Sequence, residues 1–306
     1  MKKKIISVIL CAAMSAAMLS GCGQAAENQD AAETAAETES QEMAEPAAES
    51  EEAAEPAAES QEAAEPAAEE SSEDDKAYVQ ANGKLVVGIT DFEPMDYKDE
   101  NGDWIGFDAD MAKAFAESLG VEVEFMEIDW DNKTLELDGK TIDCVWNGMT
   151  LTDEVTSSME CSKAYCDNAQ IVVVKADKAE DYATEESLAD LNFAVEAGSA
   201  GEAAVTERGL NATPVKAQSD ALMEVAAGTS DAAVIDSLMA AAMVGEGTGY
   251  EDLTCTVKLT TEEYGVGFRK GSNLAAALDE FLAAAAADGS LMETAEKYGV
   301  QAAVIQ

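Results

Sequence analysis

Residues 106–120, with the sequence GFDADMAKAFAESLG, and residues 121–128, VEVEFMEI, decide the fold of this chain. In the first segment, large apolar residues recur every four positions and share one helical face, at Phe107, Met111, Phe115 and Leu119. Gly120 follows them, where helices commonly end in a left-handed residue. The second segment begins with strict alternation of apolar and acidic residues, which predicts a strand exposed on one face. A helix followed directly by a strand is typical of α/β proteins.

The same alternation of strands and helices continues on both sides of this segment. Short apolar runs predict further strands at 84–90, 142–146, 171–174, 192–195, 232–235 and 265–268. Helices are predicted at 201–208, 220–227, 236–244, 274–287 and 289–298. This pattern indicates an α/β fold with largely parallel sheets. Ligands of such sheets bind beyond the carboxyl ends of the strands, which selects the loops after Thr90, Trp146, Val195 and Ile235.

The residue composition excludes several classes of function. The chain has 63 acidic and 18 basic residues, and its net charge of −45 leaves no basic surface for nucleic acid. It contains no histidine, which removes Ser-His-Asp and Cys-His catalysis and every metal site that uses histidine. We therefore expect neither a cofactor nor a metal.

Four cysteines follow the first 76 residues, at Cys144, Cys161, Cys166 and Cys255. None has C-x-x-C spacing, so the pattern does not favour a zinc or thioredoxin-like site. A disulfide between Cys161 and Cys166 is one alternative in an oxidising compartment. Free, packed cysteines are the favoured alternative, with Cys144 buried in an apolar run.

The first 22 residues have the features of an export signal. Three lysines precede an apolar run at 5–19, which is too short to cross a hydrocarbon core of about 30 Å. Ser20 and Gly21 before Cys22 resemble the lipobox of bacterial lipoproteins, which implies cleavage before Cys22 and diacylation of its sulfur. The alternative is an ordinary signal peptide in which Cys22 has no special role.

Residues 23–76 are strongly acidic, contain no aromatic residue and have Lys76 as their only basic residue. The sequence Glu-Pro-Ala-Ala-Glu begins at Glu45, Glu55 and Glu65, and its prolines interrupt any helix. Alanine is the only regular apolar residue of this repeat, so the repeat cannot bury a hydrophobic face. High charge with little hydrophobicity is typical of disorder. We expect a disordered tether that spans on the order of 40 Å.

The segment 106–112, in which an acidic pair begins a helix after a Gly-Phe turn, resembles the signature of family 3 of the bacterial extracellular solute-binding proteins. Ala109 departs from the larger apolar residue that is usual in this family. Further matches follow in the family's order across residues 80–300, at 93–95, 139–143, 146–150, 162–165, 198–199, 236, 264–271 and 288–291. The resemblance implies a receptor for polar amino acids that serves an ABC importer.

The resemblance also implies a fold, the two-lobed clamp of the type II periplasmic binding proteins. Two hinge strands connect the lobes of that clamp, and here they would lie at 171–174 and 261–266. Lobe 1 would then comprise residues 77–172 and 264–306, and lobe 2 residues 173–263. Ligand binds in the cleft and is buried when the hinge closes.

Three side chains of the implied cleft have a role in the family and an alternative role in folding. Phe92 and Trp130 match aromatic positions that cover the side chain of the ligand, and core packing is the alternative. Asp236 follows the strand at 232–235 and matches the carboxylate that holds the α-ammonium group of the ligand. Its alternative role is the N-cap of the next helix, and one side chain can serve both.

Two further groups are implied on opposite sides of the cleft. Ser199 begins a capping box with Glu202, and the first N–H groups of the helix, near Ala200, would bind a ligand carboxylate. A matching loop of lobe 1 carries Asn147, Gly148 and Thr150, and its glycine allows close approach of the backbone.

The segment 152–155 departs from the family at the position that decides the ligand class. In the family it normally ends in an arginine that clamps the α-carboxylate, whereas here it ends in Val155. Either Thr150, Ser199 and helix-terminal N–H groups hold the carboxylate alone, or the ligand is not a standard α-amino acid.

Taken together, these features predict a monomer that captures a small polar solute and delivers it to the permease and ATPase of an ABC importer. A lipid at Cys22 would hold it on the outer face of the bacterial cytoplasmic membrane. Two other classes remain open. One is a dehydratase of the same fold, for which the nearby acid–base candidates are Asp91, Glu93 and Asp96. The other is a surface sensor or adhesin.

Overall fold

The computed structural model of the protein describes residues 74–305. The expected signal peptide at 1–22, the lipidation site Cys22 and the expected tether as far as residue 73 lie outside the described residues. Helix α1 (Asp75–Asn82) begins at the second described residue. Asp75 and Lys76, which the sequence had assigned to the tether, are therefore helical.

Strands and helices alternate along the chain, as the sequence predicts. The strands are β1 (Lys84–Ile89), β2 (Tyr97–Lys98), β3 (Trp104–Ile105), β4 (Glu122–Glu127), β5 (Cys144–Thr150), β6 (Glu160–Cys161), β7 (Cys166–Asn168), β8 (Gln170–Lys175), β9 (Asn192–Glu196), β10 (Asn211–Val215), β11 (Ala232–Asp236), β12 (Leu253–Lys258) and β13 (Glu262–Phe268). The helices after α1 are α2 (Phe107–Leu119), α3 (Lys133–Asp138), α4 (Asp153–Ser158), α5 (Ala200–Glu207), α6 (Gln218–Ala227), α7 (Ser237–Met243), α8 (Leu274–Asp288) and α9 (Ser290–Lys297). Short 3-10 helices lie at Trp130–Asn132, Ala176–Lys178 and Glu185–Leu188.

Two sheets form the frameworks of the two lobes. Sheet 1 has the strand order β4-β1-β5-β13-β6, with β7 also paired to β13, and sheet 2 has the order β10-β9-β11-β8-β12. In sheet 1, β1 is parallel to β4 and β5, while in sheet 2, β9 is parallel to β10 and β11. The strands β8, β12 and β13 run antiparallel to their neighbours. The sheets are thus mixed, and the expectation of largely parallel sheets holds only for half of each.

Between residues 74 and 305 the chain passes between the sheets twice, and the two passages run side by side. The first is at Ala169, between β7 and β8, and the second is at 259–261, between β12 and β13. The Leu259 N–H donates to Gln170 O at 2.8 Å, and the Gln170 N–H donates to Thr260 Oγ1 at 2.9 Å. The lobe boundaries expected at 172/173 and 263/264 fall two to three residues after these passages. The expected hinge segment at 171–174 is part of β8 in sheet 2, and the chain crosses before it, at Ala169.

Helix α2 shows why the segment 106–120 is decisive for the fold. Phe107, Met111 and Phe115 are each at most 3% exposed, because their face of the helix packs against sheet 1. The Phe115 ring centroid lies 6.2 Å from that of Trp146 on β5 and 5.5 Å from that of Phe281 on α8. Burying each such side chain contributes about 2 kcal/mol to folding. Trp146 is also a core residue, because it is 1% exposed and packs on Phe115.

Glycine is required at the start of this helix. Gly106 has φ 130°, and a Cβ there would lie 2.1 Å from Met95 O. Any other residue would displace the turn that carries Pro94 and Met95. The Gly-Phe turn thus determines where α2 begins and how it packs on sheet 1.

Candidate ligand-binding site

A cavity of about 610 Å³ lies between the two lobes and is lined from both. Seven of the eight residues predicted for the site line it, namely Trp130, Asn147, Gly148, Thr150, Ser199, Ala200 and Asp236. The sequence had placed three of these on a loop of lobe 1. In the structure they lie on strand β5, which extends to Thr150. Their positions are set by pairing with β13 rather than by a flexible turn.

Phe92 is the predicted residue that the structure places outside the cavity lining. It is 2% exposed, and its ring packs edge-to-face on Tyr264, with centroids 6.4 Å apart. Gly148 separates it from the cavity: a Cβ on that glycine would lie 2.4 Å from Phe92 Cε1. Phe92 therefore has the environment of a core residue beneath the cavity wall, the alternative that the sequence left open.

Gly148 and Asn147 attach the cavity wall to buried groups of lobe 1. The Gly148 N–H donates to Asp108 Oδ2 at 2.7 Å, with φ 54° at the glycine. Asn147 Nδ2 donates to Asp96 Oδ2 at 2.8 Å and to Thr90 O at 3.1 Å. Its Oδ1 accepts from the Thr90 N–H and hydroxyl. These polar groups are therefore already hydrogen-bonded within lobe 1.

Trp130 and Lys133 form one wall of the cavity, next to lobe 2. Trp130 is 7% exposed, and Lys133 Nζ lies 5.1 Å from its ring centroid. The ammonium of Lys133 donates to Trp130 O at 3.3 Å and, across the cleft, to Gly198 O at 2.9 Å. A Cβ at Gly198 would lie 2.7 Å from the Cα of Asp131, so the two lobes are in contact here.

Asp236 ends strand β11 and lies at the floor of the cavity, 4% exposed. Side-chain amides surround its carboxylate: Gln170 Nε2 donates to Oδ1 at 2.9 Å, and Asn168 and Gln218 donate to Oδ1 and Oδ2. Within the described chain, Asp236 occupies the N-cap position of α7 without a capping hydrogen bond from its side chain. Asp236 therefore has the N-cap position, but its carboxylate does not cap the helix and is left to face the cavity.

The pKa of the Asp236 carboxyl is raised, first by burial and then by the negative charge of Glu262. Hydrogen bonds from Gln218 and Asn168 act in the opposite direction. Glu262 also contacts strand β5, because its Oε1 accepts a hydrogen bond from Thr150 Oγ1 at 3.1 Å. A cationic group placed at Asp236 would relieve this accumulation of negative charge.

Glu196, which the sequence analysis did not predict as a site residue, lines the cavity beside Asp236. It is the last residue of β9 and is 3% exposed. Its Oε1 has no hydrogen-bond partner among residues 74–305. Burial and the charge of Asp236 raise the pKa of Glu196 to about 8, while Lys133 acts to lower it. The available signal was its place directly after Val195, at the carboxyl end of a buried strand.

Ser199 and Glu202 form the capping box predicted at the start of α5. The Glu202 N–H donates to Ser199 Oγ at 3.1 Å, and the Gly198 N–H donates to Glu202 Oε2 at 2.7 Å. The start of this helix therefore already carries a carboxylate of the protein, next to Ala200. On the facing wall, Val155 of α4 lines the cavity with an apolar side chain that is 7% exposed.

The other predicted groups lie away from this cavity. All four cysteines between residues 74 and 305 are free, with Cys144 and Cys166 buried and Cys255 exposed. Asp96 is buried in lobe 1, and Asp91 lines a separate cavity of about 240 Å³. Within residues 74–305, no group of acidic and cysteine side chains is arranged to hold a metal ion, and no helix has the length and hydropathy of a membrane span.

Comparisons with known proteins agree with this geometry. The sequence profile of the bacterial extracellular solute-binding proteins, family 3, matches residues 85–301. The arginine-binding extracellular protein ArtP of Bacillus subtilis is 30% identical over 227 residues, which cover 70% of this chain and 86% of ArtP. A mutant of ArgBP from T. maritima has a TM-score of 0.68 at 31% identity, covering 73% of this chain and 98% of its own. The ancestral amino acid-binding protein AncCDT-1, a precursor of cyclohexadienyl dehydratase, has a TM-score of 0.67 at 32% identity, covering 73% and 99%.

Proposed function

The chain belongs to the bacterial extracellular solute-binding proteins of family 3, and we propose that it captures a polar amino acid or a related small solute for an ABC importer. The observation that carries this proposal is the carboxylate of Asp236. Three amide side chains hold it at the floor of a cavity lined from both lobes. A buried carboxylate that is already oriented binds an ammonium group strongly, because little side-chain freedom is lost on binding.

We propose two lobes that meet at the two passages between the sheets, with bounds within a few residues of 77–172 with 264–306, and 173–263. Bending at Ala169 and at 259–261 would separate the lobes and open the cavity, since only these two adjacent passages connect the sheets within residues 74–305. The contact of Lys133 with Gly198 O would break on opening. Release of solute to the permease would follow that motion.

We also propose that the protein is anchored through a lipid on Cys22 and acts as a monomer at the outer face of the cytoplasmic membrane. The acidic segment before residue 74 would then act as a tether. A tether of this kind raises the effective concentration of the receptor near its permease. Metabolic labelling with a fatty acid should mark the native chain and not the Cys22→Ser variant; equal labelling of both would refute the anchor.

Solute binding is the function that the site supports best. The acid–base candidates for a dehydratase, Asp91, Glu93 and Asp96, are not among the described residues that line the cavity. The relatives that match over most of the chain are binding proteins.

A thermal-shift screen against polar amino acids and amines tests the proposed function. The melting temperature should rise with ligand concentration, because only the folded state has the cavity. At a ligand concentration of about 100 times Kd the stabilisation is about 2.7 kcal/mol, or roughly 5–10 °C for a domain of this size. If no amino-bearing solute raises the melting temperature at millimolar concentration, the receptor function is wrong.

A further inference from the structure

The ionisable side chains that line the cavity are almost all acidic. Seven carboxyl groups line it, at Asp131, Asp153, Glu154, Glu196, Glu202, Glu207 and Asp236, and a bound cation would favour the ionised forms of Glu196 and Asp236, whose pKa values are raised. Lys133 is the only basic residue among the described residues of the lining. An α-amino acid brings a carboxylate of its own into these surroundings. A ligand that carries cationic groups alone does not.

Lys133 is poorly placed to hold a ligand carboxylate. Its ammonium already donates to Trp130 O at 3.3 Å and to Gly198 O at 2.9 Å. Burial lowers the pKa of Lys133, while the carboxylates of Glu154, Glu196 and Asp131 act to raise it, so negative charge already surrounds this ammonium. It offers a ligand at most one remaining N–H group.

Several other donors near the cavity wall are committed to groups of the protein. The Gly148 N–H donates to Asp108, and the Thr150 hydroxyl donates to Glu262. At the start of α5, Glu202 already accepts from the Gly198 N–H. Val155, on the facing wall, has no polar group to offer. The free N–H groups at the start of α5 lie beside the Glu202 carboxylate, so a ligand carboxylate bound there would meet repelling charge.

The floor of the cavity differs from its walls, because it contains a hydrogen-bond acceptor to which no group donates. Glu196 Oε1 is buried and has no hydrogen-bond partner among residues 74–305, although Glu196 lines the cavity. Buried polar atoms are nearly always paired, so an unpaired carboxyl oxygen at a cavity points to a missing donor. Asp236 lies close enough to act electrostatically on it. Together they present two carboxyl groups to one end of a ligand.

We propose that this cavity prefers a cationic amine or guanidine without a carboxylate, of the kind formed by decarboxylation of a basic amino acid, with one cationic group bound by Glu196 and Asp236. This inference rests on the proposed function and names its ligand class. The five other carboxylates of the lining are available to a second cationic group. Charge-assisted hydrogen bonds to the floor supply orientation, and the excess negative charge disfavours zwitterions.

Matched pairs of ligands test this preference by isothermal titration calorimetry on the full chain. The pairs are L-arginine with agmatine, L-lysine with cadaverine and L-ornithine with putrescine, which differ only in the α-carboxylate. We expect the tightest-binding amine to bind at least tenfold more tightly than its parent amino acid. If every parent amino acid binds as tightly as its amine, the inference is wrong while the proposed function stands. If no amino-bearing solute binds at all, both are wrong.

Two variants locate the preference within the cavity. Glu196→Gln should weaken binding of the preferred amine at least tenfold, whereas Glu117→Gln, which removes an exposed charge of α2, should change it less than twofold. Val155→Arg should shift the ratio of amino-acid to amine affinity at least tenfold towards the amino acid. An unchanged affinity in Glu196→Gln would contradict the floor as the binding site. The comparison of ligand pairs on the native chain decides the inference even where Val155→Arg fails to fold.

Discussion

Each lobe contains a pair of buried carboxyl groups, and the two pairs differ in what they can reach. The inner pair, Asp96 and Asp108, is fully buried in lobe 1 and lies outside the cavity lining. The floor pair, Glu196 and Asp236, is buried at the end of two strands of sheet 2 and lines the cavity. Burial raises the pKa of all four groups. Burial and a raised pKa alone therefore do not separate structural carboxyl groups from binding ones.

The difference lies in the partners. Asp108 accepts from the Gly148 N–H and from the Tyr165 hydroxyl, which ties α2 to strand β5 and to the segment before β7. Asp236 accepts from amide side chains and keeps one face towards the cavity. Each pair has one oxygen without a partner among residues 74–305, on Asp96 and on Glu196. Only that of Glu196 belongs to a residue that lines the cavity, so only there can a ligand supply the missing donor.

The largest effect should come from the inner pair and appear in stability. Asp108→Ala leaves two buried donors unpaired, the Gly148 N–H and the Tyr165 hydroxyl, at about 1–3 kcal/mol each. We expect the free energy of unfolding in urea to fall by about 3 kcal/mol or more. Asp110→Ala is the matched control on the same helix, because its partners Lys113, Lys297 and Tyr298 are accessible to water. It should cost about 1 kcal/mol, and equal losses in the two variants would remove the structural role of Asp108.

The next effect should come from the floor pair and appear in binding. Asp236→Ala removes the carboxylate that would face the ammonium group of the ligand. Truncating one partner of a buried charged pair costs about 2–5 kcal/mol, so affinity should fall by at least about 30-fold. The melting temperature of the empty protein should change by only a few degrees, since water can enter the cavity to satisfy the amides. Asp231→Ala, an exposed carboxylate just before β11, is the control, and the same affinity in both variants would contradict the assignment.

The sequence predicts this arrangement well where the periodicity is regular and the motif is long. Helix α2 is found to within a residue because its apolar spacing is regular and Gly120 ends it with φ 76°. Asp236 is found because it directly follows a short, wholly apolar run. Short elements carry no such signal: α3 and α4 have six residues each and were not predicted. Strand β10 contains Pro214, which argues against a strand until its edge position is known.

The floor of the cavity was only half predicted, for a physical reason. A carboxyl group one residue beyond a strand is exposed or buried according to what the other lobe places over it. For Glu196 that cover includes Lys133, which begins helix α3 of the other lobe. Phe92 is the opposite case: it was predicted to line the cavity but lies beneath it. An aromatic residue after a strand packs equally well in the core and against a ligand. Contacts between distant segments decide both cases, and sequence spacing does not contain them.

The pH dependence of affinity should distinguish Glu196 from Asp236 within the floor pair. The pKa of Glu196 is about 8 in the empty cavity, and a bound cation favours the ionised form, so binding releases a proton below that pH. Affinity for agmatine should therefore rise from pH 6 to pH 8, by up to about tenfold per unit, and level off above. Glu196→Gln should keep only the weaker rise that comes from Asp236, whose pKa is also raised. A pH profile in the variant as steep as in the native chain would exclude Glu196 as the titrating group.

The smallest effect is expected for Asp96→Asn, which tests whether the inner pair is indifferent to ligand. Burial and the charge of Asp108 raise the pKa of Asp96 well above its usual value, so its neutral form, which resembles an asparagine, is favoured. The amide can still accept from Asn147 Nδ2, which donates to Asp96 Oδ2 at 2.8 Å in the native chain. Unfolding in urea at about pH 4, where the pKa difference has not yet affected stability, should thus differ by less than about 1 kcal/mol, because one buried hydrogen bond contributes about that much. Affinity should stay within twofold.

The pH dependence of stability also distinguishes the inner pair from the floor pair. A carboxyl group whose pKa is higher in the folded than in the unfolded state binds more protons when folded, so its contribution to stability is lost as pH rises between the two values. The native chain should therefore lose stability relative to Asp96→Asn as pH rises from about 4 towards the folded pKa of Asp96. Glu196→Gln should show the same relative trend in the empty protein, but a saturating cation should abolish it there and leave it unchanged for Asp96→Asn. If the cation abolished the trend for both, the inner pair would also belong to the binding site, and the distinction between the two lobes would fail.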